Sequence, residues 1–588
     1  MLNENFLWTA DEYQAIIDYI SNGFNGVNVL LSKGITKREL EQEAKYLPKT
    51  IKEFQDNIKT VVDLYKAIRK NYILNGSKSY SQKIFRGDRS GKESTHFLST
   101  SDSIRQALRF TQRRQKSGEG LLLIIESENV PYLNVNEFFT MDAVGDEKEI
   151  LFIPCEFKNA QEIDFTECAE IAKMQGENIS NLRNAFKNSK FRKVKLSEVD
   201  YSKEKTELSE EDLSKMFLEY QGNLNIIRTT SRDSEEYKKA VQEILKFKES
   251  CCTWIHQKFY EINQNIDNQM NIENDGIQVS AEYNMESISI GNTGDMYLVQ
   301  DKTNNEEYYF KPAISKNGTD RPYRAHIQEA GYMIQRIINP ENAVKCNATE
   351  LNGMFGAIQQ KIPIDSQATK NFIEYFNKGK GSLSPEMITQ IMDEYLVDFC
   401  LCNYDAHANN FIVDEDGKLR GIDKEQSFRY IKEDADNDMT FSINYNKRYG
   451  EQPTIYNILF EEMKQGKISY EYMKILKYRA SRLAQIPNEQ YRQIFEKYAY
   501  GKAKTPEEAQ QLLDSILSRK NNIMQNVELL CGKIRNEASI NKTIQNPLLC
   551  SGVQATEEQT RTGEINTEAS KVKRLSLQRE SQDVEKTE

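Results

Sequence analysis

The 588-residue sequence lacks several features that would assign it to common protein classes. It has no run of about 18 apolar residues, so we expect no membrane-spanning helix. Its N-terminus has neither a basic start nor an apolar stretch, so we expect no secretory signal peptide. Lysine and arginine total 78 against 89 aspartates and glutamates, a net charge of −11. So acidic a chain has no overall attraction for nucleic acid or for an anionic membrane.

Cysteine and histidine occur without the spacing of a metal site. The nine cysteines are scattered, no two of them form a C-x-x-C pair, and there are only four histidines. A zinc hydrolase is therefore disfavoured, and we expect reduced thiols in a cytosol-like compartment. Hydrophobic residues make up 38% of the chain and aromatic residues 10%, which suffices for folded cores.

The apolar pattern changes along the chain and predicts an α+β multidomain fold. Helical spacing up to about residue 75 gives way to short apolar runs within 80–160, which predict strands. A charged, largely helical stretch follows, and a second strand-containing segment opens near residue 285. The predicted boundaries are 1–160 for a mixed α/β domain, 161–280 for a helical connector, 281–535 for a second mixed domain and 536–588 for a disordered tail.

Three polar features lie on predicted strands of the first domain. Arg86 ends KIFRG, Ser99 lies in HFLSTS, and Glu147 and Glu149 flank the start of EILFIP. Strand alternation would place both carboxylates on one face, about 6.5–7 Å apart. A guanidinium can hold a diphosphate, a hydroxyl can position a ribose, and a carboxylate can stabilise an oxocarbenium-like transition state. The set therefore suits cleavage of a glycosidic bond to a cationic leaving group, with the second carboxylate activating a nucleophile.

The segments FRG, FLSTS and EKEILF resemble the R-S-E pattern of mono-ADP-ribosyltransferases of the cholera- and iota-toxin-like group, over about residues 80–157. The resemblance implies NAD as donor and nicotinamide as leaving group. It implies that Arg86 supports the NAD phosphate and ribose, that Ser99 braces the nicotinamide ribose, and that Glu149 is catalytic. The doublet formed with Glu147 implies a protein arginine as acceptor, and FTMDAVGD would be the loop that recognises this acceptor.

A second group of polar residues lies in the second mixed domain. Lys311 lies inside the apolar strand YYFKP, Asp405 precedes Asn410 by five residues, and Asp423 follows Asn410 by thirteen. Carboxylate and amide oxygens suit magnesium rather than zinc. Phosphoryl transfer requires a lysine on the phosphates, ligands for magnesium and an aspartate that orients the hydroxyl. We interpret His407, in the same loop, as a packing residue.

FKP, NNFIV and GIDKEQSF resemble the atypical kinase-like fold shared by HipA-type kinases, actin-fragmin kinase and phosphoinositide 3/4-kinases, a bilobal fold. The resemblance implies that Lys311 binds the ATP phosphates and that Glu329 pairs with Lys311. It implies Asp405 as the catalytic aspartate and Asn410 and Asp423 as ligands of Mg²⁺. Two departures are the loop DAHANN, which is not H-R-D, and a phosphate loop short of glycine.

Together the two patterns predict a bifunctional enzyme of the bacterial toxin or effector kind. It would transfer ADP-ribose from NAD to a protein arginine, and phosphoryl from ATP–Mg²⁺ to a protein or lipid. It would be cytoplasmic, or delivered into a target cell without an N-terminal signal. One alternative makes the kinase-like domain a catalytically dead binding or regulatory module. A third hypothesis makes both domains scaffolds and assigns binding to the helical parts.

Overall fold

The computed structural model describes most of the chain, as two compact units. The first comprises Met1–Asn457 and Tyr472–Leu530, and the second Ile458–Glu471 and Cys531–Glu588. Helices and strands are mixed, as the predicted α+β class requires. Within the described part, no helix has the length and apolar character needed to cross a bilayer. The described residues are 6–31, 48–80, 82–88, 96–112, 120–139, 149–178, 189–231, 233–268, 276–288, 296–314, 318–429, 431 and 454–545.

A seven-stranded sheet organises the first part of the larger unit. Its strands are hydrogen-bonded in the order β4-β5-β2-β1-β3-β7-β6. They are β1 Ile84–Asp88, β2 Leu98–Ser101, β3 Gly120–Ser127, β4 Tyr132–Asn134, β5 Glu149–Phe152, β6 Cys155–Ile163 and β7 Ser189–Glu198. The helices of this part are α1 Ala10–Asp18, α2 Phe24–Leu30, α3 Ile51–Leu74, α4 Ile104–Gln112, α5 Phe165–Met174, α6 Glu210–Thr229 and α7 Glu235–Asn268, with a π-helical turn at Tyr19–Gly23.

The interior strand β3 is apolar on both faces because both faces are covered. Its side chains alternate between two cores, as the pleat of a strand requires. Leu121, Leu123 and Ile125 enter a core with α1 and α3, whereas Leu122 and Ile124 enter one with α4 and α5. The strands predicted from KIFRG, HFLSTS, GLLLIIES and KEILFIP are all found, at β1, β2, β3 and β5.

The predicted boundary at residue 160 is wrong. Strand β7 pairs in parallel with the whole length of β3, and β6 pairs with β7. The helices α6 and α7 belong to the same core, since the ring of Phe217 stacks on Phe54 at 4.4 Å and that of Phe259 on Tyr65 at 3.9 Å. The predicted connector is therefore part of the first domain, because the apolar faces of its helices bury against α3.

A five-stranded antiparallel sheet, in the order β11-β12-β10-β9-β8, opens the second part of the larger unit. It is followed by a β13–β14 hairpin and by helices. The strands are β8 Tyr283–Ile288, β9 Met296–Asp301, β10 Glu307–Pro312, β11 Cys346–Leu351, β12 Met354–Gln360, β13 Phe411–Val413 and β14 Leu419–Gly421. The helices of this part are α8 Tyr323–Ile338, α9 Ser366–Lys378, α10 Pro385–Cys400, α12 Lys474–Gln485, α13 Asn488–Lys502 and α14 Pro506–Asn521. Helices α11 Ile455–Lys464 and α15 Ile523–Gln545 lie largely in the second, smaller unit.

Two further sequence expectations concern the C-terminal end and the thiols. The predicted tail starts at residue 536, but α15 continues to Gln545, so that boundary is too early. Residues 546–588 lie outside the described residues. The eight cysteines within the described ranges are buried, and none of them forms a disulfide.

Replacing Phe217 by alanine should destabilise the first domain by about 3–5 kcal/mol, because it empties a fully buried stacking position beside Phe54. Urea unfolding followed by circular dichroism measures this loss. The neighbouring Leu218 is half-exposed, so Leu218→Ala should change the free energy of unfolding by no more than about 0.5 kcal/mol. Equal losses in the two variants would show that α6 is not part of this core.

Candidate functional site

Arg86, Ser99 and Glu149 line one cavity of about 250 Å³. The Ser99 hydroxyl donates to Glu149 Oε1 at 2.6 Å, and Arg86 Nη1 donates to the backbone carbonyl of Ser99 at 3.0 Å. Glu149 is 8% exposed, so its carboxylate lies in a largely water-excluded position. A guanidinium, a hydroxyl and a carboxylate therefore line the same cavity, on the strands predicted from the sequence.

The strand order explains why these residues meet. Strand β2 lies between β1 and β5 in the sheet, and the register places Ser101 opposite both Phe85 and Glu149. Ser99 is then a diagonal neighbour of Glu149 across an antiparallel pair, within reach of a hydrogen bond. Between β2 and β5 the chain leaves to form β3 and β4, so adjacency along the sequence does not produce this contact.

The cavity also contains side chains that the sequence analysis did not single out. Tyr19 and Asn28 come from the helices before the sheet. The Tyr19 hydroxyl donates to the carbonyl of Phe97 and accepts from Asn28 Nδ2. Burial raises the pKa of Tyr19 well above its ordinary value. No motif marks these two residues, because a tyrosine and an asparagine nine positions apart are common in helices.

Glu147 and residues 140–146 of the expected acceptor-recognition loop lie outside the described residues. The last described position before them, Phe139, packs its ring against Tyr13 at 5.7 Å. Glu149 begins β5. The shared strand face predicted for Glu147 and Glu149 therefore stays a prediction.

The second predicted group also converges. Asn410 Nδ2 donates to the backbone carbonyl of Asp405 at 2.6 Å, and the Asn410 carbonyl accepts from the N–H of Ile422, the residue before Asp423. Asp423 Oδ1 lies 3.5 Å from Lys311 Nζ. The loop, the hairpin and strand β10 thus bring one cation, one amide and two carboxylates to the same region.

The predicted pairing of Lys311 with Glu329 is wrong. Lys311 Nζ pairs with Glu425 at 2.8 Å, whereas Glu329 lies 3.6 Å from His326 Nδ1. Glu425 follows Asp423 by two residues on a short 3₁₀ turn and also contacts Arg324 on α8 at 3.6 Å. The residue of α8 that joins the charged groups around Lys311 is therefore Arg324 in its first turn, and not Glu329 in its middle.

Lys311 has an unusually close backbone neighbour. A side chain on Gly356 would place its Cβ 2.4 Å from the Lys311 carbonyl oxygen, so only glycine allows β12 to lie against this point of β10. Burial lowers the pKa of Lys311, but Asp423 and Glu425 outweigh it, and the pKa lies above its ordinary value. The lysine is therefore a fixed cation at neutral pH.

Asp423 is held in the left-handed backbone region at φ 55° and ψ 62°, a conformation that costs energy for a residue with a side chain. The next residue, Lys424, fixes this backbone. Its buried ammonium lies 2.9 Å from Glu394 and 2.7 Å from Asp398, both on α10. Tyr456 also donates to Asp398, at 2.6 Å. A buried charge with several partners is expensive to displace, so the position of Asp423 depends on it.

The surroundings of Asp405 raise the pKa of its carboxyl group. Desolvation raises its pKa above the ordinary value, and the negative charges of Asp423 and Asp398 act in the same direction. His407, whose Nε2 is 3.5 Å from Asp405 Oδ1, opposes them. Perturbed groups of this kind cluster at functional sites.

Within the described ranges, no three side chains among histidine, cysteine, aspartate and glutamate form a metal site. Asn410 and Asp423 supply an amide oxygen and a carboxylate, which are donor types that Mg²⁺ accepts. Mg²⁺ commonly takes only one or two protein carboxylates and completes its shell with water and phosphate oxygens. No protein-family model matches the chain, and no curated protein sequence matches it.

Replacing Asp405 by asparagine should stabilise the protein at pH 7. Its pKa is higher in the folded than in the unfolded state, so the free energy of unfolding falls as pH rises through that interval. The gain should disappear below about pH 4, the ordinary range of an aspartate. Urea unfolding at both pH values measures it. Asp414→Asn is the control and should cost about 1–3 kcal/mol, because Asp414 accepts from Arg420 at 2.7 Å.

Proposed function

We propose that the first domain is an NAD-dependent ADP-ribosyltransferase directed at a protein arginine. The observation that carries the proposal is the single cavity shared by Arg86, Ser99 and Glu149, with the serine hydroxyl bonded to the glutamate. Its volume is close to the lower end of small-molecule sites, about 300–1,000 Å³. It therefore suits the nicotinamide–ribose end of the dinucleotide, with the phosphates towards Arg86.

Each residue has a distinct part in the proposed reaction. The Arg86 guanidinium would bind the anionic diphosphate. The carboxylate of Glu149 would accept from a ribose hydroxyl and stabilise the positive charge that develops as the bond to nicotinamide breaks. Ser99, which donates to Glu149 at 2.6 Å, fixes the orientation of that carboxylate. The bond that forms joins the ribose carbon to a guanidine nitrogen of the acceptor, and Glu147 would take the proton.

Replacing Glu149 by glutamine should lower nicotinamide release from NAD by about 100- to 1,000-fold, because the transition-state charge loses its carboxylate. The amide oxygen can still accept from Ser99, so the fold should be retained. Release is measured with labelled NAD in the presence of a cell lysate. Glu162→Gln is the control, because Glu162 lies on the far edge strand β6 and pairs with Arg192. Label transfer unaffected by Glu149→Gln would contradict the proposal.

Glu147→Gln separates the two halves of the reaction. We expect nicotinamide release to water to be retained and transfer to arginine to be lost, since only the activation of the acceptor requires this carboxylate. Mass spectrometry of modified arginines in the lysate measures the transfer. Parallel loss of both activities would assign Glu147 to the cleavage step instead.

We further propose that the second part of the unit is a kinase-like domain acting on ATP–Mg²⁺. The observation that favours it is the approach of Lys311, Asp405, Asn410 and Asp423 from three separate elements. Lys311 would bind phosphate oxygens, Asn410 and Asp423 would hold the metal, and Asp405 would accept the proton of the hydroxyl. The alternative, a nucleotide-binding module without turnover, requires the same fold but no phosphoryl transfer.

Asp423→Ala should abolish ATP turnover, at least about 100-fold, because the metal loses its carboxylate ligand. Glu425→Gln should also reduce turnover, since Glu425 holds Lys311 at 2.8 Å. Glu329→Gln is the control and should be nearly neutral, because Glu329 lies against His326 instead. Phosphate release from labelled ATP measures turnover. A parent protein that binds ATP without turnover would favour the binding module.

A further inference from the structure

A buried tryptophan joins the seven-stranded half of the unit to the kinase-like half. Trp8 is 0% exposed, and its indole Nε1 donates to the carbonyl of Ala67 on α3 at 2.9 Å. Its backbone N–H donates to Gln485 Oε1 on α12 at 3.1 Å. We call Trp8 and its partners on α12, Tyr478, Arg482 and Gln485, the Trp8 joint.

Arg482 is the charged centre of the Trp8 joint. It is 6% exposed, its Nη1 donates to the Trp8 carbonyl at 2.8 Å, and its Nε donates to the carbonyl of Ile337 near the end of α8 at 2.7 Å. The Tyr478 hydroxyl also donates to the Trp8 carbonyl, at 3.2 Å. Charge-assisted hydrogen bonds are stronger than neutral ones, and leaving buried acceptors unpaired is costly. Within the described residues, three of the four hydrogen bonds of Trp8 therefore involve helix α12 of the kinase-like half.

Trp8 also contacts the end of the 3₁₀ turn Val135–Glu137, which precedes β5, the strand that begins with Glu149. Its ring lies 4.7 Å from that of Phe138, and Phe138 closes a 3₁₀ turn on the carbonyl of Val135. Within this turn, Asn136 Nδ2 donates to the backbone carbonyl of Glu149 at 3.2 Å. The turn follows β4, which pairs with β5. A continuous set of contacts thus leads from Arg482 to the backbone of Glu149.

We propose that Arg482 is a positioning residue for the NAD-cleaving site, although it lies on a helix of the kinase-like half. It holds Trp8, Trp8 holds the turn at Phe138, and the turn holds the first residue of β5. The proposal rests on the proposed transferase activity and states which distant residue sets the position of its carboxylate. Small displacements of a reacting group can lower rates by about 100-fold.

Kinetics of Arg482→Gln test the proposal in the full-length protein. We expect kcat for nicotinamide release to fall about 10- to 100-fold, with KM for NAD nearly unchanged because the phosphate-binding Arg86 lies on β1. Arg479→Gln is the matched control. It lies on the same helix, but its guanidinium pairs with Asp393 inside the kinase-like half at 2.9 Å, so kcat should stay near that of the parent.

Arg482→Lys provides a second variant should the glutamine variant not fold. Lysine keeps the charge and can donate to one of the two carbonyls, so a smaller loss of kcat is expected. A double-mutant cycle adds a test of coupling, since residues that act through one contact are not additive. Phe138→Leu combined with Arg482→Gln should lose less than the sum of the two single losses. Phe138→Leu combined with Arg479→Gln should be additive.

A spectroscopic signal tests the Trp8 joint without a measurement of enzyme activity. The chain has only two tryptophans, Trp8 and Trp254, so Trp254→Phe leaves Trp8 as the sole emitter. Its emission should shift to longer wavelength in the Arg482→Gln protein and not in the Arg479→Gln protein, because only the first loses the donor to Trp8.

The outcomes separate this inference from the proposed function. Equal kcat and equal emission in the two arginine variants would overturn the inference while leaving the transferase intact. A shift in emission with kcat unchanged would overturn it as well, because the joint would then not position Glu149. A parent protein that releases no nicotinamide would remove the proposed function. The Trp8 emission would then decide only whether Arg482 holds the joint.

Discussion

The contact between Ser99 and Glu149 across neighbouring antiparallel strands is the constraint on which the proposed NAD site depends. It exists because β2 lies between β1 and β5, with Ser101 opposite both Phe85 and Glu149. Side-chain direction alternates along a strand, so a shift of one residue in this register would turn Glu149 away from the cavity. Packing on both faces of the sheet opposes such a shift, because it would also expose the apolar residues of β5.

The same packing explains why the helices after the sheet are part of the first domain. Helices α6 and α7 bury aromatic rings against α3, which itself covers one face of the sheet. A helix with an apolar face needs a partner surface, and for α6 and α7 that surface is α3 of the same domain. In the Trp8 joint, α12 bonds to Trp8, so the halves with the two candidate sites share buried hydrogen bonds.

The candidate kinase-like site is organised by charge instead of apolar packing. Lys424 is buried with Glu394 and Asp398, and its neighbour Asp423 is kept in a left-handed conformation. Lys311 is fixed by Asp423 and Glu425. Burial raises the pKa of Asp405, and the negative charge of Asp423 raises it further because like charges repel. Arrangements that cost stability in this way are typical of sites retained for binding or chemistry.

Local pattern alone predicted the strands that carry Arg86, Ser99, Glu149 and Lys311, because alternation and turn residues are properties of short segments. Other features depend on residues far apart in the chain. Examples are the pairing of β7 with β3, the ion pair of Lys311 with Glu425 instead of the expected Glu329, and the contact of Trp8 with Arg482. No local spacing encodes them, because each is decided by which surfaces remain to be buried once the elements have formed.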